Sequence, residues 1–318
     1  MSLSKQILQG DSRAVAKLIT MVEDDFQSAQ RFLEELHPYC GKAIVVGITG
    51  PPGSGKSTVT DQLAKYLRRK EKKVGIIAID PSSPFTGGAI LGDRIRMQDL
   101  ATDKDVFIRS VGSRGHLGGL SRSTQAVVKI MDAMGKDFIF IETVGVGQSE
   151  IDIIKVSDIV LLIVMPGMGD DIQVIKAGIM EIGDIFVVNK ADRDGTDRLI
   201  AEIEMMLHLE KKVKSWEKPI LKTIGTQNIG FDSLWMEIEK CFHHLEASGE
   251  MIQRRKNRTR KEIYDLLQES WREMFFDLIG EDHLEKEVEK VSRQDDDPYH
   301  ATERLISIFK ENLFKRGE

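Results

Sequence analysis

The stretch that decides the fold runs from residue 50 to residue 58 and reads Gly50-Pro51-Pro52-Gly53-Ser54-Gly55-Lys56-Ser57-Thr58. It matches the pattern G-x-x-x-x-G-K-S/T and lies between a β-rich apolar run at 43–48 and a helical stretch at 57–70. The glycines let backbone N–H groups surround a phosphate, and the helix N-terminus adds a partial positive charge. We therefore predict a phosphate-binding loop in which Lys56 reaches the β and γ phosphates of a nucleotide and the Ser57 hydroxyl binds Mg²⁺.

The elements around this loop alternate between strand and helix. Short apolar runs occur at 43–48, 74–79, 106–108, 138–141, 159–164, 185–188 and 220–221, with helical stretches such as 57–70 and 121–134 between them. This order predicts an α/β fold whose mostly parallel sheet is covered by helices on both faces. Ligands of such sheets bind beyond the carboxyl ends of the strands.

Helical spacing dominates both ends of the chain. Apolar residues recur every three to four positions before Pro38, and the β-rich runs stop at about Asp232. We expect an N-terminal helical extension at 1–40, a nucleotide-binding G domain at 41–231 and a C-terminal helical region at 232–318.

Composition limits the classes of partner and compartment. The chain has 318 residues with a formal net charge of −6, which favours neither nucleic acid nor an anionic membrane as the main partner. Its two cysteines, Cys40 and Cys241, form neither a disulfide framework nor a zinc motif, so a cytoplasmic location is expected. No apolar run approaches the roughly 20 residues that span a bilayer.

The tetrapeptide Asn189-Lys190-Ala191-Asp192 closes the apolar run at 185–188 and indicates which base is bound. The Asp192 carboxylate can accept hydrogen bonds from guanine N1–H and N2–H₂, a donor pair that adenine lacks. Asn189 is expected to hold the loop, and Lys190 to pack its stem along the base. The sequence therefore favours GTP over ATP, with a backbone N–H from the loop at 222–226 donating to guanine O6.

Three acids are candidate Mg²⁺ ligands in addition to Ser57. Asp80 and Glu142 end apolar runs, and Asp93 lies in a polar stretch before a helical one, where it could instead cap that helix.

Glu142 opens the segment 142–150, ETVGVGQSE, in which the Gly145 N–H can contact the γ-phosphate. Val146 follows Gly145, whereas Ras-type GTPases use a Gln to orient water. We expect slow hydrolysis by the isolated protein, with a partner completing the site.

Taken together, these segments resemble the MeaB family, also called ArgK, which includes the human MMAA protein. The resemblance covers nearly the whole chain and rests on the segments GPPGSGKST, DPSSPFTGGAILGDRIRM, FIRSVGSRGHLGGLS, ETVGVGQSE, PGMGDDIQVIKAG and NKAD, in this order. It implies a P-loop GTPase of the SIMIBI class that binds GTP, GDP and Mg²⁺. It also implies a chaperone of an adenosylcobalamin-dependent acyl-CoA mutase, usually methylmalonyl-CoA mutase, that gates cofactor loading and protects the mutase.

The resemblance also implies roles for individual residues. Lys56 and Ser57 would hold phosphate and metal, and Asp80, Asp93 and Glu142 would form the Mg²⁺ and switch set. The segment 167–176 would be an additional switch facing the mutase, and Lys176 would contact the nucleotide or the partner's site. The family is homodimeric through its C-terminal helices. One departure is that Ile224-Gly225 stands where relatives usually have Ser-Ala in the guanine loop.

Three alternatives remain open from the residues alone. A metal-insertion GTPase of the same class should carry a Cys-His cluster or a His-rich tract, and the sequence has neither. A kinase for a periplasmic amino-acid transport binding protein would transfer the γ-phosphate to an acceptor protein. A nucleotide-gated scaffold would bind GTP without turning it over.

Overall fold

The computed structural model describes residues 2–81, 97–113, 122–143, 152–167, 180–209 and 216–316. Asp93, Gly145 and Lys176 lie outside these residues, as do most of the glycine-rich segments around them. The backbone of Asp80 lies inside a described strand.

Within the described residues, seven parallel strands form one sheet in the order β3-β2-β4-β1-β5-β6-β7. Their bounds are β1 Ile44–Thr49, β2 Val74–Pro81, β3 Val106–Ser113, β4 Phe138–Glu142, β5 Ile159–Val164, β6 Ile185–Asn189 and β7 Ile220–Thr223. The parallel α/β fold expected from the alternating runs is therefore confirmed.

Helices cover both faces of the sheet, and further helices occupy the two ends of the chain. In the described residues they are α1 Leu3–Leu8, α2 Ser12–Asp24, α3 Phe26–Leu36, α4 Lys56–Arg69, α5 Gln98–Ala101, α6 Arg122–Ala133, α7 Met180–Ile182, α8 Thr196–Leu209, α9 Phe231–Ala247, α10 Glu250–Ile279, α11 Glu281–Ser292 and α12 Pro298–Arg316. Short 3₁₀ turns occupy His37–Tyr39, Ile153–Lys155 and Gly225–Gln227.

The two faces of the sheet bury separate apolar clusters, because successive strand residues point to opposite sides. On β1, Val45 belongs to the cluster that α1–α3 and α6 cover. Val46 and Ile48 belong to the cluster on the other face, with α4 and α9. All three side chains are buried. Because helices cover both faces of the sheet, successive strand residues are mostly apolar instead of alternating between apolar and polar.

The chain divides into two compact units, 1–255 and 256–318. Within the first unit, α2 and α3 pack on α6, and α9 packs on α4. The second unit has its own small core of Leu278, Ile279, Leu305 and Phe309. The functional division predicted at 40/41 and 231/232 stays a prediction. None of the helices in the described part of the chain combines the length and the apolar character that a bilayer crossing requires.

Two consecutive arginines fix the start of α10 to the amino edge of the sheet. Asp158 is fully buried just before β5, and its carboxylate accepts from the Val45 N–H at 3.0 Å and from Arg255 at 3.0 and 3.1 Å. Asp184 precedes β6 and accepts from Arg254 at 2.8 and 2.9 Å. These ion pairs lie at the edge opposite the carboxyl ends of the strands, where the predicted site residues are found.

We expect Arg255→Ala to lower the free energy of unfolding by about 3 kcal/mol, because it leaves the buried Asp158 carboxylate without its cation. The loss should fall at the low end of the usual range, since the Arg255 side chain is 33% exposed. Urea denaturation at fixed protein concentration measures it. Arg198→Ala is the control, because it breaks a pair with Glu202 in which Arg198 is 84% exposed, and it should cost at most about 0.5 kcal/mol. Equal losses for the two variants would contradict the prediction.

Candidate nucleotide-binding site

The predicted phosphate loop connects β1 to α4 and takes a shape that its glycines require. Gly50, Gly53 and Gly55 have φ of 138°, 76° and 93°, a region that other residues rarely adopt. A Cβ atom on Gly50 would lie 2.0 Å from the Ile163 carbonyl oxygen, and one on Gly55 would lie 2.2 Å from Asn189 Nδ2. The loop therefore packs directly against β5 and β6, with no room for a side chain at either glycine.

Lys56 places its ammonium group inside this loop. Its Nζ donates to the carbonyl oxygens of Gly50 at 2.8 Å and Pro51 at 3.1 Å, and the residue is only 6% exposed. Ser54 is fully buried, and no hydrogen-bond partner is found for its Oγ in the described part of the chain. A buried cation, an unsatisfied hydroxyl and the amino end of α4 together suit an anionic ligand such as a phosphate group.

Glu142 meets two hydroxyl groups of α4 at the carboxyl edge of the sheet. The Ser57 hydroxyl donates to Glu142 Oε1 at 2.5 Å, and Thr60 Oγ1 lies 3.1 Å from Glu142 Oε2. Glu142 is 4% exposed. Its strand position is opposite Ile48, next to the start of the phosphate loop. The structure thus brings together Ser57 and Glu142, which sequence reasoning had placed at one Mg²⁺ site.

The chemistry of this donor set fits Mg²⁺, which prefers oxygen ligands and takes few protein carboxylates. Ser57 supplies a hydroxyl oxygen and Glu142 a carboxylate. The Asp80 backbone lies near the end of β2, the strand that pairs with β4 through Ala78 and Glu142. The Mg²⁺ roles of Ser57, Asp80, Asp93 and Glu142 stay predictions, as do those of Gly145 and Lys176 in catalysis.

The Asn189 side chain joins the phosphate loop to the predicted guanine loop. Its Nδ2 donates to the Ser54 carbonyl oxygen at 2.9 Å. Its Oδ1 accepts from the Gly225 N–H at 3.1 Å and from the Thr223 hydroxyl at 3.2 Å. Asn189 is 2% exposed, so each of these bonds compensates for the loss of water around the buried amide. This geometry matches the expectation that Asn189 holds the loop.

Lys190 and Asp192 follow at the same edge. Lys190 has a left-handed backbone with φ of 56°, and its Nζ donates to the Gly53 carbonyl oxygen at 2.7 Å. Burial lowers the pKa of the Lys190 ammonium, and the nearby Arg193 lowers this pKa further. Asp192 is exposed, so its carboxylate is accessible to a ligand. The predicted contacts of both side chains with a guanine base stay predictions.

The loop after β7 sits directly on the phosphate-loop helix. Residues Gly225–Gln227 form a 3₁₀ turn, and Ile224 pairs with Ile229 in an antiparallel bridge. A Cβ atom on Gly225 would lie 2.7 Å from Thr58 Cγ2, which measures how closely this turn approaches α4. Because the Gly225 N–H donates to Asn189, it is already engaged inside the protein.

Sequence reasoning missed two residues of this site, Thr60 and Thr223. Both are fully buried, and their hydroxyls reach Glu142 and Asn189 respectively. For Thr60 a signal was available, because it lies three residues after Ser57 and so shares its face of the helix. For Thr223 no local signal pointed to Asn189, which pairs with it only through the register of β6 and β7.

We expect Asn189→Ala to weaken GDP binding by about tenfold or more, since it removes three hydrogen bonds that fix the base loop against the phosphate loop. ADP binding should change less, because adenine gains nothing from the loop, so the preference for GDP over ADP falls. Calorimetric titration with both nucleotides measures this ratio. The matched control is Gln227→Ala, which truncates an exposed amide of the same loop and should leave the ratio unchanged. An unchanged ratio in the Asn189 variant would contradict the expected role.

Comparison with known proteins supports a nucleotide site. A family model described as Methylmalonyl Co-A mutase-associated GTPase MeaB matches residues 15–277. A Pyrococcus horikoshii protein named "Putative GTPase" is 48% identical over 309 residues, covering 96% of this chain and 96% of that protein. GTPase ArgK of Escherichia coli is 40% identical over 263 residues, or 80% of each chain. The crystal structure of a LAO/AO transport system kinase superposes with a TM-score of 0.72 at 27% identity, covering 97% of this chain and 96% of that one.

Proposed function

The chain belongs to the MeaB family of methylmalonyl-CoA mutase-associated GTPases, and from that premise we propose a specific function for it. It is a Mg²⁺-dependent GTPase that acts as a chaperone of an adenosylcobalamin-dependent acyl-CoA mutase. The observation that carries the GTPase part is the Asn189 side chain, which bonds to the phosphate loop and to the base loop at once. The family description supports the choice of methylmalonyl-CoA mutase as partner.

The proposed site divides the nucleotide between the loops of neighbouring strands. The N–H groups of the phosphate loop and the Lys56 ammonium hold the β and γ phosphates, and Asp192 accepts from the guanine edge. Ser57 and Glu142, with Asp80 and Asp93, hold Mg²⁺, which neutralises charge on the phosphates. The reaction converts GTP and water into GDP and phosphate.

Slow intrinsic turnover is part of the proposal. The residue after Gly145 is Val146, so the Gln that orients the attacking water in Ras-type GTPases is absent from that place in the sequence. The bound mutase then completes the site, with the segment 167–176 as the second switch and Lys176 reaching the nucleotide or the partner. A GTPase whose slow turnover times its release in this way gates cofactor loading and protects the mutase; we call it a slow timer. The chaperone would act in the cytoplasm, where the thiols of its two cysteines stay reduced.

We expect GTP turnover by the purified protein to be slow and to rise about tenfold or more when cobalamin-loaded methylmalonyl-CoA mutase is added, as other GTPases respond to partners that complete their sites. Phosphate release under steady-state conditions measures the rate, and ATP serves as the control substrate. Fast turnover by the isolated protein would contradict the slow timer. The absence of any response to the mutase would contradict the partner assignment.

A protein kinase is the second candidate, favoured by the LAO/AO transport system kinase whose structure the chain resembles at 27% identity. The two candidates differ in where the γ-phosphate goes. GTP labelled in the γ-phosphate should give free phosphate if the GTPase proposal holds. Label that accumulates on an amino-acid transport binding protein in the same mixture would favour the kinase.

Homodimerisation through the C-terminal helices is also part of the proposal. Along α10, Ile263, Leu267 and Trp271 recur at spacings of four residues, which places them on one face of the helix. Their side chains are 53%, 52% and 58% exposed within a single chain. Apolar side chains of this size at regular spacing are typical of a helix face that a second copy covers.

We expect Leu267→Glu combined with Trp271→Glu to convert the dimer to a monomer, because it places two charges in the apolar face. Light scattering after size exclusion measures the mass, for which one chain contributes 35.9 kDa. Arg272→Glu is a control with the same total change in charge on an exposed residue outside the apolar face. A wild-type protein that is monomeric at micromolar concentration, or a control variant that also dissociates, would argue against this interface.

A further inference from the structure

We propose that Thr60 is a positioning residue for Glu142, holding the carboxylate so that its other oxygen stays directed at Ser57. The inference rests on the proposed function in one respect, namely that Ser57 and Glu142 serve the Mg²⁺ ion of a bound guanine nucleotide. It goes further because it assigns a role to a residue outside the G-x-x-x-x-G-K-S/T pattern.

The placement of Thr60 favours this role. Its side chain lies in the first turns of α4, is fully buried, and has Oγ1 at 3.1 Å from Glu142 Oε2. The same Oγ1 lies 2.9 Å from the Lys56 carbonyl oxygen, which is also an acceptor for the helix backbone. A hydroxyl has a single hydrogen, and an ionised carboxylate is a stronger acceptor than a carbonyl that already has a donor. The Thr60 hydrogen is therefore directed at Glu142.

Two hydroxyls then fix one carboxylate. Ser57 donates to Oε1 and Thr60 donates to Oε2, so each oxygen of Glu142 meets a different residue of the same helix. Losing the bond to Thr60 would leave the carboxylate plane less constrained, because the terminal torsion of a glutamate has a broad energy minimum. With both anchors, the plane is set by α4, whose first residue is Lys56. The orientation of Glu142 is thereby tied to the phosphate loop.

Loss of the Thr60 hydroxyl is expected to weaken Mg²⁺ binding in the nucleotide complex rather than phosphate binding. Thr60→Val keeps the shape of the side chain and removes the donor, so Glu142 Oε2 loses a charge-assisted hydrogen bond in a buried place. The Lys56 ammonium keeps its bonds to the Gly50 and Pro51 carbonyl oxygens, because Thr60 takes no part in them. The apparent affinity for Mg²⁺ in the nucleotide complex should fall, while the affinity for nucleotide without Mg²⁺ stays close to that of the wild type.

The experiment titrates Mg²⁺ into the full-length protein with the non-hydrolysable analogue GMPPNP and follows nucleotide affinity by calorimetry. We expect the Mg²⁺ concentration at the midpoint to rise about tenfold in Thr60→Val and to return within about twofold of wild type in Thr60→Ser. Thr223→Val is the matched control, because Thr223 is another fully buried threonine whose hydroxyl reaches Asn189 rather than Glu142. It should lower the preference for GDP over ADP and leave the Mg²⁺ midpoint in place.

An unchanged Mg²⁺ midpoint in Thr60→Val overturns the inference, and so does a Thr60→Ser variant that fails to restore it. Equal losses with and without Mg²⁺ would assign Thr60 a structural role only and also overturn it. Failure of the proposed function looks different. In that case the wild-type protein itself lacks a preference for GDP over ADP, or its affinity for GMPPNP is independent of Mg²⁺.

Discussion

The carboxamide of Asn189 is the interaction on which the candidate site depends. One buried side chain bonds to the Ser54 carbonyl in the phosphate loop and to the Thr223 hydroxyl and the Gly225 N–H at the end of β7 and in the loop after it. A buried amide needs such partners, since an unsatisfied polar group costs about 1–3 kcal/mol. The need to satisfy this group therefore fixes the distance between the loop that would hold phosphates and the loop that would hold the base.

The glycines of the phosphate loop make that interaction possible. Gly55 lets the loop backbone approach Asn189 so closely that a Cβ atom would lie 2.2 Å from its Nδ2, and Gly50 does the same against Ile163. The parallel sheet brings all these groups to one edge, because the carboxyl ends of parallel strands lie side by side. At the opposite edge, Arg254 and Arg255 fix the start of α10 to Asp184 and Asp158. Anchoring of the long helix and binding of a nucleotide thus use different ends of the same strands.

Much of the fold and part of the site could be predicted from the sequence. The apolar runs indicated the strands, since the central strands β1, β4, β5 and β6 are buried on both faces, and the motif at 50–58 was placed correctly between β1 and α4. Asn189 was predicted to hold its loop, and it does so through its bonds to Ser54 and Gly225. The predicted boundary at 231/232 follows the end of the β-rich runs, whereas the compact unit continues to Arg255. The first unit includes α9, which packs on α4, and the functional boundary at 231/232 stays a prediction.

The sequence by itself determined the elements and the loop chemistry, because strand runs, glycine turns and capping positions depend on residues close together in the chain. Only the tertiary structure decided which side chains meet. Thr60 and Glu142 are 82 residues apart, Ser54 and Asn189 are 135 apart, and Arg255 and Asp158 are 97 apart. Hydrogen bonds between such residues depend on strand order and register. Buried polar groups form hydrogen bonds with the groups that the fold brings within about 3 Å of them. A local sequence pattern does not show which groups these are.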